Sequence, residues 1–310
     1  MCKKPIIIDC DPGLDDAIAL FMMFNNQDFD IKAITPVAGN VSVDKTTLNA
    51  LKLVELAGAN VPVAKGASKP LYKDLVTAEH VHGTTGLRDI VLPEPQQAAD
   101  KLSAHEMIYQ EASKYNRELQ IIATGPLTNI ATAILKYPDV KEKVKRIILM
   151  GGSCGCGNDA PAAEFNIYAD SDAAKIVFES GIPITMVGLD VTHKALVYPD
   201  EIKEIGGYNN KIAKTASKIL LGYLDFCKMN GFEGAVMHDP LAMAYAIDSE
   251  VMVCKPYHVD IETKGTFTNG KTVVDVHHVT GKAPNADVGV EIDRERFISI
   301  LKKAMMSYDG

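Results

Sequence analysis

The segment IIIDCDPGLDD places four carboxylates, Asp9, Asp11, Asp15 and Asp16, within eight positions directly behind an apolar run. Two carboxylates ~4 Å apart repel by about 4 kcal/mol at an effective dielectric of about 20. Such a cluster either takes up protons or holds a cation, and at neutral pH the cation costs less. Oxygen donors select a hard ion, Ca²⁺ or Mg²⁺, over Zn²⁺. The structural alternative is that Asp15 and Asp16 cap a helix beginning beyond Pro12 and Gly13, where the helix dipole favours acidic groups. Capping accounts for one or two of the four and leaves the rest without a role.

Other positions are open to two readings each. MHDP sets His238 beside Asp239, as a reactive pair or as the cap of the helix LAMAYAID. His80 and His82 flank Val81 ahead of the glycine-rich GTTGL, which is either a hinged lid or a loop with solvated histidines. Tyr223 and Phe226 fall on a long helical stretch, where an aromatic is ordinarily core but can line a pocket. GPLTN, with Pro126, Thr128 and Asn129, reads on its own as a helix start. Cys154 and Cys156 lie in a glycine-rich loop with no nearby His to complete a soft-metal set. His277 and His278 alternate along an expected strand and so make a poor chelate.

Strand-forming runs alternate with helical patterns: IIID then DDAIALFMMF, IKAITPVAG then DKTTLNALKLVELAG, LQIIATG then PLTNIATAILKY, followed by RIILMGG, SDAAKIVFESG and IPITMVGLD. Continuous Ile/Val/Leu strands are those covered on both faces. The expected fold is therefore α/β, a mostly parallel, open, twisted sheet with helices on both faces. After residue 200 the pattern predicts a helix over NKIAKTASKILLGYLDFCKMNG and another over DPLAMAYAID. A hairpin of YHVDIET and KTVVDVHHV around FTNGK follows, and RERFISILKKAMMSY closes the chain as a helix. No repeat or low-complexity linker divides residues 1–310, which read as a single domain. Ligands of open parallel sheets bind at the carboxyl ends of the strands. Asp9, Asp11, Asn40, Thr124 and Asp190 each follow a strand there.

Composition narrows the partners. With 47% hydrophobic residues in 310, the chain can bury a full core. A net charge of -8 without any Lys/Arg block argues against nucleic acid polymers and anionic membranes. Runs such as ALFMMF are far shorter than the roughly 20 residues of a membrane span, and no secretory apolar region precedes Asp9. The expected location is the cytoplasm, with the six cysteines as reduced thiols.

Taken in order, DCDPGLDD, VAGNVSVDKTTLNAL, VHGTTGL, ATGPLTNIA, MGGSCGCGN, AEFNIYADSDAA and MHDP resemble the inosine-uridine-preferring nucleoside hydrolases, over about Ile6 to Asp293. VAGNVSVDKTTLNAL and ETKGTFTNGKTVVDV are most similar to the bacterial non-specific ribonucleoside hydrolases, which accept purine and pyrimidine ribonucleosides. The resemblance implies a Rossmann-like fold and hydrolysis of an N-glycosidic bond to ribose and free base. It implies Ca²⁺ as cofactor, held by Asp11, Asp16, the Thr124 carbonyl and Asp239, with the ion also holding the ribose 2′- and 3′-hydroxyls and a water. Asp11 matches the general base for that water. Asp15, Asn40, Asn158, Glu164 and Asn166 match ribose-binding groups, assisted by backbone atoms near Met150. His238 matches a group beside the leaving base and is a candidate proton donor. The loop carrying His82 is mobile in the family, which favours the lid, and Phe226 is a candidate for the base pocket. Relatives form homo-oligomers, tetramers or dimers.

This assignment suits the chemistry. Loss of the base builds oxocarbenium-like charge on the ribose, which anionic side chains stabilise best when pre-positioned away from water. An amide-rich pocket of Asn40, Asn158 and Asn166 is expected to offer both donors and acceptors to sugar hydroxyls. Two other functions compete. A strand ending in Asp-x-Asp also resembles the haloacid-dehalogenase-like, Mg²⁺-dependent phosphatases with Asp9 as nucleophile, although PGLDD departs from their pattern. A non-catalytic ribose or Ca²⁺-binding module would use the same residues without turnover.

Overall fold

Successive isoleucines of the first strand point to opposite sides: Ile6 and Ile8 enter one apolar core and Ile7 the other, all fully buried. Ile121 and Ile122 repeat the division in a neighbouring strand, as do Ile147 and Ile148 in the next. A strand covered on both faces needs no polar alternation, which is why these runs read as continuous apolar sequence.

The computed structural model describes residues 3–309. Its strands are β1 (Lys4–Cys10), β2 (Phe29–Pro36), β3 (Gln120–Ala123), β4 (Arg146–Met150), β5 (Ile184–Val187), β6 (Leu196–Val197), β7 (Ala235–Val236), β8 (Met252–Tyr257), β9 (Val259–Ile261), β10 (Thr272–Val274) and β11 (Ala286–Ile292). Seven form the main sheet in the order β2-β1-β3-β4-β5-β11-β8. Neighbours are parallel except β8, which runs antiparallel to β11 at the edge. The helices Leu14–Phe24, Val43–Ala57, Lys211–Met229, His238–Ile247 and Arg294–Met306 cover one face, and Ala104–Tyr115, Thr128–Lys136 and Ser171–Phe178 cover the other. From β1 the chain crosses to β2 on one side and later returns to β3 on the other, so the switch point lies between β1 and β3. That is where sheets of this order receive ligands.

Three details differ from the sequence expectations. β11 was not anticipated: its residues Asp287 and Glu291 are exposed, which breaks the apolar run, yet it pairs in parallel with β5. β8 was not anticipated either, because Pro256 and Lys255 interrupt it. Both residues are exposed, and proline is tolerated on an edge strand. The hairpin exists as β9 and β10 but is short, pairing Ile261 with Thr272 and Val259 with Val274. It ends before His277 and His278, so these lie in a turn rather than alternating on a strand, with His278 at φ 55°. Among the described residues no helix is long and apolar enough to cross a membrane.

Candidate active site

Asp11 leaves the sheet immediately after β1, and Pro12 and Gly13 turn the chain into the helix Leu14–Phe24. Asp16 has two duties in this turn. Its Oδ2 accepts from the Gly13 N–H at 2.9 Å, capping the helix, and from Asn40 Nδ2 at 3.1 Å. Its Oδ1 accepts from the Thr124 hydroxyl at 2.9 Å, which ties the helix to the end of β3. Asp11 Oδ2 accepts from the Asn40 backbone N–H at 2.7 Å. That approach requires the preceding glycine, because a side-chain carbon at Gly39 would overlap Asp11 Oδ2.

Asp239 joins from the first turn of the helix His238–Ile247, which packs against Leu14–Phe24. Oxygens of Asp15, Asp16 and Asp239 lie within 4.8 Å of one another, all buried. Asp15 thus stands in the carboxylate trio, whereas the resemblance assigns it to the sugar. Asp11, which the resemblance assigns to the ion, lies beside the trio with its Oδ2 turned to Asn40. Burial raises the pKa of all four groups, Asp15 to about 7. The next cause is the charge of Asp16 for Asp11 and Asp15, and the charge of Asp15 for Asp239. The donors reaching Asp11 and Asp16 are neutral amides and a hydroxyl. A buried, oxygen-only set whose negative charge has, among the described residues, no cationic side chain against it fits a hard metal ion.

Asp15 and Asp239 of the trio border a cavity of about 400 Å³. Asp11, Asp15, Asn40, His82, Thr124, Met150, Asn158, Glu164, Asn166, Phe226, His238 and Asp239 all line it, so every expected site residue except Asp16 reaches the cavity wall. Asp16 is fully buried behind it.

The amides are more specialised than expected. Asn40 Nδ2 is committed to the Asp11 carbonyl at 3.0 Å as well as to Asp16. Asn166 Nδ2 is committed to the carbonyls of Thr124 at 2.8 Å and Met150 at 3.1 Å. Each therefore has only its Oδ1 acceptor left for a sugar hydroxyl. Asn158 is the reverse, since its Oδ1 accepts from the Phe165 N–H at 3.0 Å and its NH₂ remains. Glu164 accepts from the backbone N–H groups of Gly152, Asn166 and Ile167, yet burial still raises it to about 7.

At the far end of the cavity His82, Tyr223 and Phe226 stack in series, with centroids 6.4 and 6.2 Å apart. The Leu14 backbone N–H donates to His82 Nδ1 at 3.1 Å, so the loop Ala78–Arg88 is pinned to the start of the aspartate helix. Burial lowers the pKa of His82, and separately that of His238, to about 3. Repulsion from Arg88, and to a lesser extent His80, adds to this at His82, and the neighbouring His193 and His82 rings add to it at His238. Both imidazoles are neutral at pH 7.

His193, Asn230 and Phe232 also line this end and were not singled out from the sequence. His193 contacts both Phe232 and His238 edge-on, at 5.1 and 5.7 Å. The available signal was its place just after a parallel strand, but Asp190 stood out there instead. Asp190 is a structural residue, its Oδ2 accepting from the Cys154 N–H at 2.8 Å. Cys154 and Cys156 do not line the cavity, and burial pushes the Cys154 thiol up to about 11. Asp9 lies beneath the site, fully buried, accepting from Thr35 Oγ1 at 2.6 Å and Asn129 Nδ2 at 2.9 Å. A side chain so enclosed cannot serve as the nucleophile of a phosphatase.

The inosine-uridine preferring nucleoside hydrolase family matches residues 6–299. The chain is 43% identical over 307 residues to the pyrimidine-specific ribonucleoside hydrolase RihA of Citrobacter koseri, covering 98% of each chain. It is 41% identical to that of Escherichia coli O7:K1, covering 98% of this chain and 99% of the relative. Among solved structures, the purine-preferring ribonucleoside hydrolase from Gardnerella vaginalis superposes with a TM-score of 0.92 at 33% identity, covering 98% of both chains. An inosine-guanosine nucleoside hydrolase superposes at 0.89 with 28% identity, covering 99% of both. The fold is thus that of a glycosidase acting on N-glycosyl bonds. The chain belongs to the inosine-uridine preferring nucleoside hydrolase family and hydrolyses ribonucleosides.

Proposed function

We propose that the preferred substrates are the pyrimidine ribonucleosides uridine and cytidine, with inosine turned over more slowly, and that the metal is Ca²⁺. The observation that carries this is the convergence of Asp11, Asp15 and Asp239, with Asp16 behind them, and of the amides of Asn40, Asn158 and Asn166 on one cavity whose far end is aromatic. The base preference draws on the relatives at 41 to 43% identity, which are named pyrimidine-specific, whereas the purine-preferring structure stands at 33%.

In this reading Asp11, Asp15, Asp16, Asp239 and the Thr124 carbonyl would hold the ion. Calcium there would supply positive charge to the sugar hydroxyls and to the attacking water. Asp11 takes a proton from the water as its oxygen attacks C1′. Asn40 and Asn166 accept from sugar hydroxyls, and Asn158 donates to one. As the N-glycosidic bond breaks, positive charge grows on the ribose, and Glu164 and the aspartates lower its energy. Tyr223 and Phe226 flank the base, and His238 gives it a proton as it leaves. The products are ribose and the free base. Loop Ala78–Arg88, held through His82, closes the site against water.

Initial rates of ribose release from uridine, cytidine, inosine, adenosine and guanosine test this. The expected kcat/KM for uridine exceeds that for inosine by ~10-fold or more. Inosine ahead of uridine would reject the base preference, and no ribose from any of them would support a binding module instead.

Two further elements of the proposal have their own support. Exposed apolar side chains at Tyr72, Val91, Phe267 and Val279 offer surface for a homo-oligomer, dimer or tetramer, which light scattering reads directly. A cytoplasmic location accords with the described cysteines, all of them free.

A further inference from the structure

The turn Leu189–Thr192 follows β5, and a short ladder fixes its distance from His238. Leu196 pairs with Val236 and Val197 with Ala235, and the Met237 N–H donates to the Ala195 carbonyl at 2.9 Å. This register brings Thr192 Oγ1 to 2.9 Å from His238 Nδ1. Thr192 is fully buried, and among the described residues this is its hydroxyl's one hydrogen-bond partner.

That isolation decides the direction of the bond. Were His238 protonated on Nδ1, the threonine oxygen would accept and its own hydrogen would be left in a dry interior without an acceptor. Leaving a buried donor unpaired costs about 1–3 kcal/mol. Donation by the hydroxyl to a bare Nδ1 leaves no such group, and it puts the imidazole proton on Nε2. Among the described residues Nε2 has no partner, and it is not sealed from the cavity that His238 lines.

We infer that Thr192 is a positioning residue, its hydroxyl holding His238 in the tautomer and orientation that offer Nε2–H to the departing base. This rests on the proton-donor role given above to His238. In the donor step the N-glycosidic electron pair goes to the base nitrogen, which takes the Nε2 proton and leaves His238 one proton short. Asp11 holds the proton lost by the attacking water; its release to solvent, with reprotonation of Nε2 from solvent, resets both residues, so the overall reaction consumes one water and nothing else.

The test compares two ribosides in the calcium-loaded enzyme: uridine, whose base needs a proton, and p-nitrophenyl β-D-riboside, whose leaving group departs as a stable anion. The readout is the ratio of their kcat values, which is independent of the fraction of folded protein. Thr192→Val is expected to lower the uridine to p-nitrophenyl riboside ratio by ~10-fold or more, with KM for uridine changed less than ~3-fold, and Thr192→Ser to restore it. His238→Ala, measured alongside, is expected to lower the ratio at least as far. If His238→Ala lowers it and Thr192→Val does not, or Ser fails to restore it, the positioning role falls while the donor role stands. If His238→Ala lowers both rates equally, both fall.

Discussion

Asn40 holds Asp16 through Nδ2 to Oδ2 at 3.1 Å, and its backbone N–H holds Asp11 Oδ2 at 2.7 Å. A single residue from the loop after β2 thus orients two carboxylates that burial and mutual repulsion would otherwise push apart. Hydrogen bonds to charged groups contribute about 1.5–3 kcal/mol. Asn40→Ala is expected to lose stability of that order in denaturant titrations with calcium present, and to reduce kcat for uridine by ~10-fold or more. A variant with unchanged stability and rate would contradict this role.

Asp11 is expected to separate function from stability. Asp11→Asn keeps an oxygen for the Asn40 N–H while removing one of the crowded charges. Turnover of uridine is predicted to fall by ~10²–10⁴-fold, the usual effect of losing a general base. In chelator, the unfolding midpoint should stay level or rise. Normal turnover would remove Asp11 from the proposed chemistry.

The two amides that present only acceptors imply discrimination at the sugar. Asn40 and Asn166 need hydroxyl donors, and a substrate lacking the 2′-hydroxyl leaves buried groups unpaired. A site of this kind rejects such an analogue by ~10⁴-fold. Comparable kcat/KM values for 2′-deoxyuridine and uridine would show that these oxygens do not face the sugar.

Glu164 gives stability a pH dependence of defined sign. Its carboxyl is raised to about 7 from the ordinary 4.5, so the folded chain holds the proton more tightly than the unfolded one. Its contribution is complete below about pH 4.5 and is lost as pH rises through about 7. With saturating calcium throughout, wild type should lose roughly 2–3 kcal/mol more than Glu164→Gln between pH 5 and pH 8. Parallel pH profiles for the two proteins would refute this.

The sequence disclosed this site unevenly, for physical reasons. Asp11, Asp15 and Asp16 are conspicuous because their crowding needs an explanation wherever the chain goes. The buried strands β1, β3 and β4 are conspicuous because both faces are apolar. β11 hides because it carries exposed Asp287 and Glu291 and finds its partner β5 about a hundred residues earlier. That Asp15 stands in the trio as well as on the cavity wall depends on how the Asp239 helix packs, which position in the sequence does not reveal. The commitment of the Asn40 and Asn166 amide groups to backbone carbonyls is likewise a tertiary fact. His193 gave no sign because a lone histidine after a strand becomes significant only when His238 arrives beside it.

The central claim is that the buried aspartates act on a ribonucleoside through a bound divalent ion. The direct measurement is ribose release from uridine by protein stripped with chelator and then titrated with calcium, with unfolding midpoints recorded in the same samples. Stripped protein should be inactive and melt lower, and calcium should restore both together. Full turnover after stripping, with a midpoint indifferent to calcium, would contradict the account.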